Sequence, residues 1–336
     1  MLGKPKGAGY KAFGSARMLI LFVTATRIGD AVLSTGLLSY LIDRHPTARL
    51  TIAAGPVAAP LFEAIPQLER LEIIEKLRWS AHWLPFYAAV ATRRWDLVVD
   101  LRGSALAWLL RADKRKVMAK GDVREHRVRQ LGRLFQLDPP PSPRLWTAPH
   151  HERTASALIS PGAPVLAIGP AANWRGKEWR AERFAALAQR LTAADGMLPG
   201  ARVVVLAAGH ERRQAEAVLA VVPLHRQIDL VGKVDLLTAA AVLRRCALFI
   251  GNDTGLMHMA AASGTPTLGL FGPSPSDRYA PWGQHAAWVR STDSPDTMFG
   301  PGFDHRTTGT LMDGLSVDAA EAAARRLWRS VASAAA

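Results

Sequence analysis

Asp253, Thr254, Gly255 and His258 stand in the stretch FIGNDTGLMHMAAASG (Phe249 to Gly264), where an apolar strand breaks into a polar turn and runs into a Met- and Ala-rich helix. The first N–H groups of a helix have no internal partner, and the helix dipole puts partial positive charge there, so such a turn can hold an anion. Gly255 lets a ligand approach the backbone closely. Asp253 and Thr254 are good cap residues that can equally turn toward a ligand. His258 lies one helical turn after Thr254 and faces the same way. An ordinary capped helix would use the same residues, so the stretch does not decide its own role.

Other candidates sit at comparable junctions. Asp30 ends a loop where a helix starts. There the dipole helps keep the carboxylate ionised, and it can take a proton from a substrate hydroxyl or simply cap the helix. Lys177, between Gly176 and Trp179 in the loop GPAANWRGKEW, can neutralise a phosphate or stand as a surface lysine. Asn173 and Arg175 can add donors, and Trp174 and Trp179 can cover a ring or close the loop. Glu211 can bind a pair of sugar hydroxyls or merely start a helix. Candidate acceptor contacts are Arg27, Asp100, Arg102, Lys120 and Arg124. An anion cradle with a lysine suits a diphosphate. A carboxylate facing it suits transfer of a group from a phosphate-linked donor to a hydroxyl.

Strands alternating with helices must position these groups. Strands are predicted at 18–24, 50–54, 71–74, 96–100 and 116–119, with helices over 31–45, 58–64, 79–94 (kinked near Pro85), 102–111 and 122–137. The run DPPPSP at 138–143 can be neither helix nor central strand, and the domain boundary is placed between 138 and 163. The pattern then restarts, with strands at 165–168, 202–207, 228–231, 248–250 and 265–271. Helices are predicted over 181–191, 211–221, 235–245, 255–263 and 317–333, the last capped by Ser316. Residues 272–314 are Gly/Pro-rich with little periodicity. This is an α/β chain of doubly wound parallel sheets, whose ligands sit at the carboxyl ends of the strands. The domains are 1–17 (a basic arm), 18–150, 151–314 and a terminal helix, 315–336.

The chain has 336 residues and a net charge of +14, which favours anionic partners. Positive charge concentrates at Arg111, Lys114, Arg115, Lys116, Lys120, Arg124, Arg127, Arg129 and Arg133, a stretch that is either a solvated face or a surface for anionic lipid. A single cysteine, Cys246, excludes an intrachain disulfide and a multi-cysteine metal site, and fits a reducing cytoplasm. No apolar run is long enough to span a membrane, and the basic start lacks a cleavage site, so export is not expected. GxGxxG after the first strand, GxxxxGK[ST], HExxH, the EF-hand loop and GxSxG are all absent. Nucleic-acid binding has only the charge in its favour.

The motifs RIGDAVLSTGLL, WDLVVDLRGSALAWLL, GPAANWRGKEWRAERFAALAQRL, VVVLAAGHERRQAEAV and NDTGLMHMAAASGTPTLGLFGP follow in order over nearly the whole chain. In this the chain resembles glycosyltransferase family 9, the heptosyltransferases of lipopolysaccharide assembly. The resemblance implies a GT-B fold, with two Rossmann-like domains facing a central cleft, and an inverting reaction without metal or cofactor. It implies a nucleotide-sugar donor such as ADP-heptose, an anionic glycolipid acceptor, and a cytoplasmic enzyme touching the inner membrane. Asp30 matches the family's base and Lys177 its phosphate-contacting lysine. Asp253, Thr254, Gly255 and His258 match its nucleotide-sugar segment, and Glu211 matches loosely. The last helix is expected to cross back onto the first domain. The loop GPAANW departs from the hydroxyl-rich turn often found there, which leaves another nucleotide sugar, another acceptor or a non-catalytic binder as alternatives.

Overall fold

The computed structural model describes residues 17–75, 82–119, 124–300 and 302–335. Strands β1 (Leu19–Val23), β2 (Arg49–Ala54), β3 (Leu68–Ile73), β4 (Trp95–Asp100) and β5 (Ala112–Val117) form a parallel sheet in the order β3-β2-β1-β4-β5. Helices α1 (Ile28–Arg44), α2 (Trp83–Val90), α3 (Leu106–Leu109) and α4 (Arg127–Arg133) accompany it. After α5 (Pro149–Leu158), strands β6 (Val165–Gly169), β7 (Arg202–Val205), β8 (Gln227–Asp229), β9 (Leu248–Asn252), β10 (Thr267–Phe271) and β11 (Ala286–Arg290) form a second parallel sheet, ordered β11-β10-β9-β6-β7-β8. Its helices are α6 (Ala181–Thr192), α7 (Arg212–Val221), α8 (Leu236–Leu243), α9 (Gly255–Ala262), α10 (Ser276–Tyr279), α11 (Pro295–Met298) and α12 (Val317–Ala335). This is the two-domain GT-B architecture.

The central strands are apolar on both faces because helices cover both. In β1, Ile20 and Phe22 join the core on the α1 side, while Leu21 and Val23 join the core under α2 and α3. α1 ends at Arg44 because Pro46 disfavours helical geometry at His45. In each sheet the chain winds one way and then reverses, so the strand order switches between β1 and β4 and between β6 and β9. Such switch points open a crevice at the strands' carboxyl ends. The loops carrying Asp30, Asp100–Ser104, Lys177 and Asp253 all leave from these four strands. α1 packs against α9, joining the domains along the same line.

Several expectations shift. α1 starts at Ile28, so Asp30 lies inside its first turn. Pro85 falls in the first turn of α2, where a missing N–H costs nothing, so no kink arises. The helix expected over 102–111 shrinks to α3. The fifth strand starts earlier, at Ala112, and the helix expected over 122–137 is α4 alone. Parts of the predicted helices, at 79–81 and 122–123, fall outside the described residues, as does nearly all of the basic arm. α5 and β11 were not anticipated: α5 follows a proline-rich run, and β11 is a half-exposed edge strand without a strong apolar pattern.

The terminal helix, expected on the first domain, packs on the second. Ala320, Ala323, Ala324 and Leu327 form an apolar stripe that completes the second core against α6, β10 and β11. Arg190 of α6 reaches Asp318 at 2.5 Å and Glu321 at 3.3 Å, fixing the helix there. Ser316 does cap it, its hydroxyl accepting from the Ala319 N–H. Among the described residues no helix is long and apolar enough to cross a membrane.

Candidate active site

The second sheet's switch point brings the loops after β6 and β9 together. Asn252, fully buried at the end of β9, accepts from the Trp179 N–H at 3.1 Å and donates to the Pro170 carbonyl at 2.8 Å. That bridge holds Lys177 against Asp253, Nζ to Oδ2 at 2.7 Å. Asp253 is nearly buried and Lys177 about a quarter exposed. Thr254 is the N-cap of α9, but its side chain makes no cap bond, which leaves the hydroxyl and the first N–H groups of the helix for another partner.

His258 is buried in α9. Its Nε2 lies 3.9 Å from Asp253 Oδ1, beyond hydrogen-bond reach, and Nδ1 has no hydrogen-bond partner. Burial pushes its pKa from 6.5 down to about 4, against the opposing pull of Asp253 and Asp30, so the ring is neutral near pH 7. A buried neutral imidazole with an unbonded nitrogen is a group that a ligand hydroxyl would satisfy.

The first domain meets this cluster through α1. A Cβ placed on Gly29 would lie 3.0 Å from His258 Cδ2, and one on Gly255 would lie 2.5 Å from Ile28 Cγ2. The starts of α1 and α9 therefore abut through two glycines, and Asp30 follows directly in the first turn of α1, half-buried. Arg127, at the start of α4, acts electrostatically on Asp30. Burial lowers its own pKa, with Asp30 opposing and Arg278 adding to the drop. Across the cleft, the His126 ring bonds the Ala280 carbonyl at 3.0 Å and packs on Trp282, with Arg129 over the same indole. These contacts make a second junction between the domains.

The remaining candidates are dispersed. Asn173 is exposed in the loop before Trp174. Glu211 gives one oxygen to the Ala208 N–H at 2.8 Å, capping its own turn. Asp100 is 1% exposed, and its carboxylate accepts from the backbones of Arg102 and Ser104 and from the Ser104 hydroxyl, so it shapes the loop rather than facing solvent. Arg102 lies over the Trp83 ring at 4.7 Å with Nη1 unbonded, and burial lowers its pKa against the pull of Asp100. Arg27 and Arg124 are exposed, and Lys120 lies outside the described residues.

The basic stretch is not one face. Arg115 donates to the carbonyls of Ala107, Leu110 and Ala112, Lys116 lies over Phe135, and Arg133 pairs with Glu125. Asn252 and Arg127 were not singled out for the site from sequence. The signal for Asn252 was a polar side chain ending a buried strand; Arg127 was hidden in the charge run.

Cavities of about 560 and 300 Å³ open at the amino ends of β6, β7 and β9. That is the opposite edge from these loops, and parallel sheets carry their chemistry at the carboxyl edge. Among the described residues no group of three or more His, Cys, Asp or Glu is placed to hold a metal ion.

The family model for glycosyltransferase family 9 (heptosyltransferase) matches residues 102–300. A lipopolysaccharide heptosyltransferase 2 of Salmonella typhimurium is 25% identical over 322 residues, covering 81% of this chain and 88% of its own. A family 9 glycosyltransferase from Veillonella parvula superimposes with a TM-score of 0.75 at 20% identity, over 93% of this chain and 97% of its own. The Escherichia coli ADP-heptose lipopolysaccharide heptosyltransferase II does so at 0.72 and 18%, over 93% and 99%. At such identity the structural likeness speaks for the fold.

Proposed function

The chain belongs to glycosyltransferase family 9, and on that premise we propose that this enzyme moves a heptose-type sugar from an ADP-sugar to a hydroxyl of a lipopolysaccharide inner-core acceptor. The names of its relatives support the sugar and the acceptor. The carrying observation is that Gly29, next to Asp30 in the first domain, packs on His258 of the second, where Asp30 acts electrostatically on the ring and the Lys177–Asp253 pair lies in the same cluster, across the contact of α1 with α9. The domains divide near residue 150, at the start of α5.

In this reading Asp30 takes the proton from the acceptor hydroxyl as its oxygen attacks the anomeric carbon. A single displacement with one base inverts that carbon. The C–O bond to the diphosphate breaks, and Lys177 with the N–H groups at Thr254 and Gly255 stabilises the charge left on the departing ADP. Asp253 and His258 orient the donor, with Asn173 and Glu211 at its edges. Arg27, Arg102, Lys120 and Arg124 meet the anionic acceptor. The reaction needs no metal, and the enzyme works at the cytoplasmic face of the inner membrane. The buried Ala171 and Ala172 in the loop after β6 offer no hydroxyl to a diphosphate, which favours a different donor grip or a related nucleotide sugar as the second reading.

The test is ADP release from a panel of nucleotide sugars, with a heptose-deficient lipopolysaccharide as acceptor, with and without EDTA. ADP-heptose is expected to give the fastest acceptor-dependent release, unchanged by EDTA. Preference for another nucleotide sugar moves the donor to the second reading. Loss of activity in EDTA that a divalent ion restores overturns the metal-free scheme. Vesicle sedimentation with and without anionic lipid tests the membrane contact, which fails if neither condition retains the protein.

A further inference from the structure

Trp174, Phe299 and Phe303 build an aromatic ledge beside Lys177 that the transfer scheme leaves unused. The Lys177 N–H donates to the Trp174 carbonyl at 2.9 Å, so one turn fixes both residues. The indole covers Gly176, where a Cβ would come within 2.7 Å of the ring. Its Nε1 donates to the His305 carbonyl at 2.7 Å. Phe303 meets the indole edge-on, with centroids 6.4 Å apart and planes at 83°, and Phe299 meets Phe303 at 5.0 Å and 87°. The Leu311 N–H bonds the Gly176 carbonyl at 3.0 Å, and the Thr310 hydroxyl bonds the Glu178 carbonyl at 2.5 Å. His305, Thr310 and Leu311 are thus each bonded to the loop that carries Lys177.

These rings do not serve a core. Trp179, in the same loop, is 1% exposed and belongs to the second core, its Nε1 donating to the Leu315 carbonyl. Phe299 and Phe303 remain 42% and 37% exposed while tethered in place. Leaving rings this exposed forgoes a substantial part of the free energy that full burial would give. Their neighbours Asn173 and Arg175 are exposed and polar. Aromatic faces for C–H groups, flanked by planar polar side chains for hydroxyls, are the chemistry that recognises a sugar ring.

We propose that Trp174, Phe299 and Phe303 form a subsite that stacks a sugar ring next to the Lys177–Asp253 pair, with Asn173 and Arg175 taking its hydroxyls. The proposal rests on the sugar-transfer reading. The ring is either the sugar being transferred or the terminal sugar of the acceptor.

The test compares the wild type with Phe299→Ala/Phe303→Ala and with Trp174→Phe, reading both KM values, kcat, and ADP affinity by calorimetry. The phenylalanines lie outside both cores, so the double variant should stay folded with only a modest drop in melting temperature. The KM for one substrate should rise about tenfold in the double variant, with ADP affinity and kcat little changed. Trp174→Phe, which keeps an aromatic face, should fall between. A raised donor KM assigns the ledge to the transferred sugar, and a raised acceptor KM assigns it to the acceptor. Unchanged KM values overturn the proposal. So does a parallel loss of ADP affinity, because the rings would then hold the nucleotide. If the wild type transfers no sugar, the transfer reading fails by itself. Saturation-transfer NMR with methyl mannoside then still reads the ledge: ring C–H signals in the wild type and none in the double variant support it, and equal signals overturn it.

Discussion

Lys177 Nζ lies 2.7 Å from Asp253 Oδ2, although 76 positions separate them in the chain. The pair locks the loop after β6 to the loop after β9, and it means the lysine's charge is already engaged before any diphosphate arrives. Lys177→Met leaves Asp253 buried without its cation, so unfolding in urea should show a loss of about 2–3 kcal/mol, less than for a fully buried pair. ADP affinity should fall with it. Asp253→Asn keeps the shape and frees the lysine. Calorimetry should then find ADP bound several-fold tighter while sugar transfer drops. Weaker ADP binding in this variant would mean that the carboxylate itself holds the nucleotide.

Asp30 occupies the first turn of α1, where a neutral substitute gives up less than about 1 kcal/mol of dipole stabilisation. Asp30→Asn should therefore fold normally and bind ADP as before. Removal of a general base should lower kcat about a thousandfold. Steady-state kinetics with saturating acceptor decides this, and a kcat within tenfold of wild type would remove Asp30 from the base role.

Both sheets were legible from sequence because their inner strands open as unbroken apolar runs, such as LILFV and LFI, each leading into a polar loop. That pattern also placed Asp30, Lys177 and Asp253 at strand ends. What it could not carry was pairing across the fold. Nothing in the charge run from Arg111 to Arg133 separates Arg127, which acts on Asp30, from Arg129, which covers Trp282. The terminal helix was misplaced for the same reason. Its stripe of Ala320, Ala323, Ala324 and Leu327 shows that one face is buried, and only the partner surface says where.

Gly255 owes its identity to Ile28. A Cβ there would stand 2.5 Å from Ile28 Cγ2 and 3.2 Å from the Gly29 backbone nitrogen, so the starts of α1 and α9 would have to separate. Overpacking of this kind costs about 1–3 kcal/mol. Gly255→Ala should lower stability by that amount and reduce kcat by shifting the start of α1, and Asp30 with it, away from α9. Ile28→Ala should cost stability alone but recover part of the loss when combined with Gly255→Ala, giving a coupling above about 0.5 kcal/mol in the double-mutant cycle. Additive effects would show that the two helices do not press on each other in solution.

His258 should make the protein acid-sensitive in a defined window. Burial holds its pKa at about 4 against 6.5 for a free ring, while Asp253 and Asp30 pull it upward. Between those values the unfolded chain takes up a proton that the folded chain refuses, so stability is fully present above about pH 6.5 and falls as the pH drops toward 4. At about 1.4 kcal/mol per pKa unit the whole effect is on the order of 3 kcal/mol. His45, His126 and His151 are also lowered mainly by burial and add to the acid loss. The informative quantity is therefore the difference between wild type and His258→Gln, measured as urea midpoints from pH 4.5 to 7.5. The wild type should lose stability relative to the variant as the pH falls. Parallel curves would mean that the folded ring accepts a proton near its ordinary pKa, stabilised by Asp253 and Asp30 more strongly than burial opposes it.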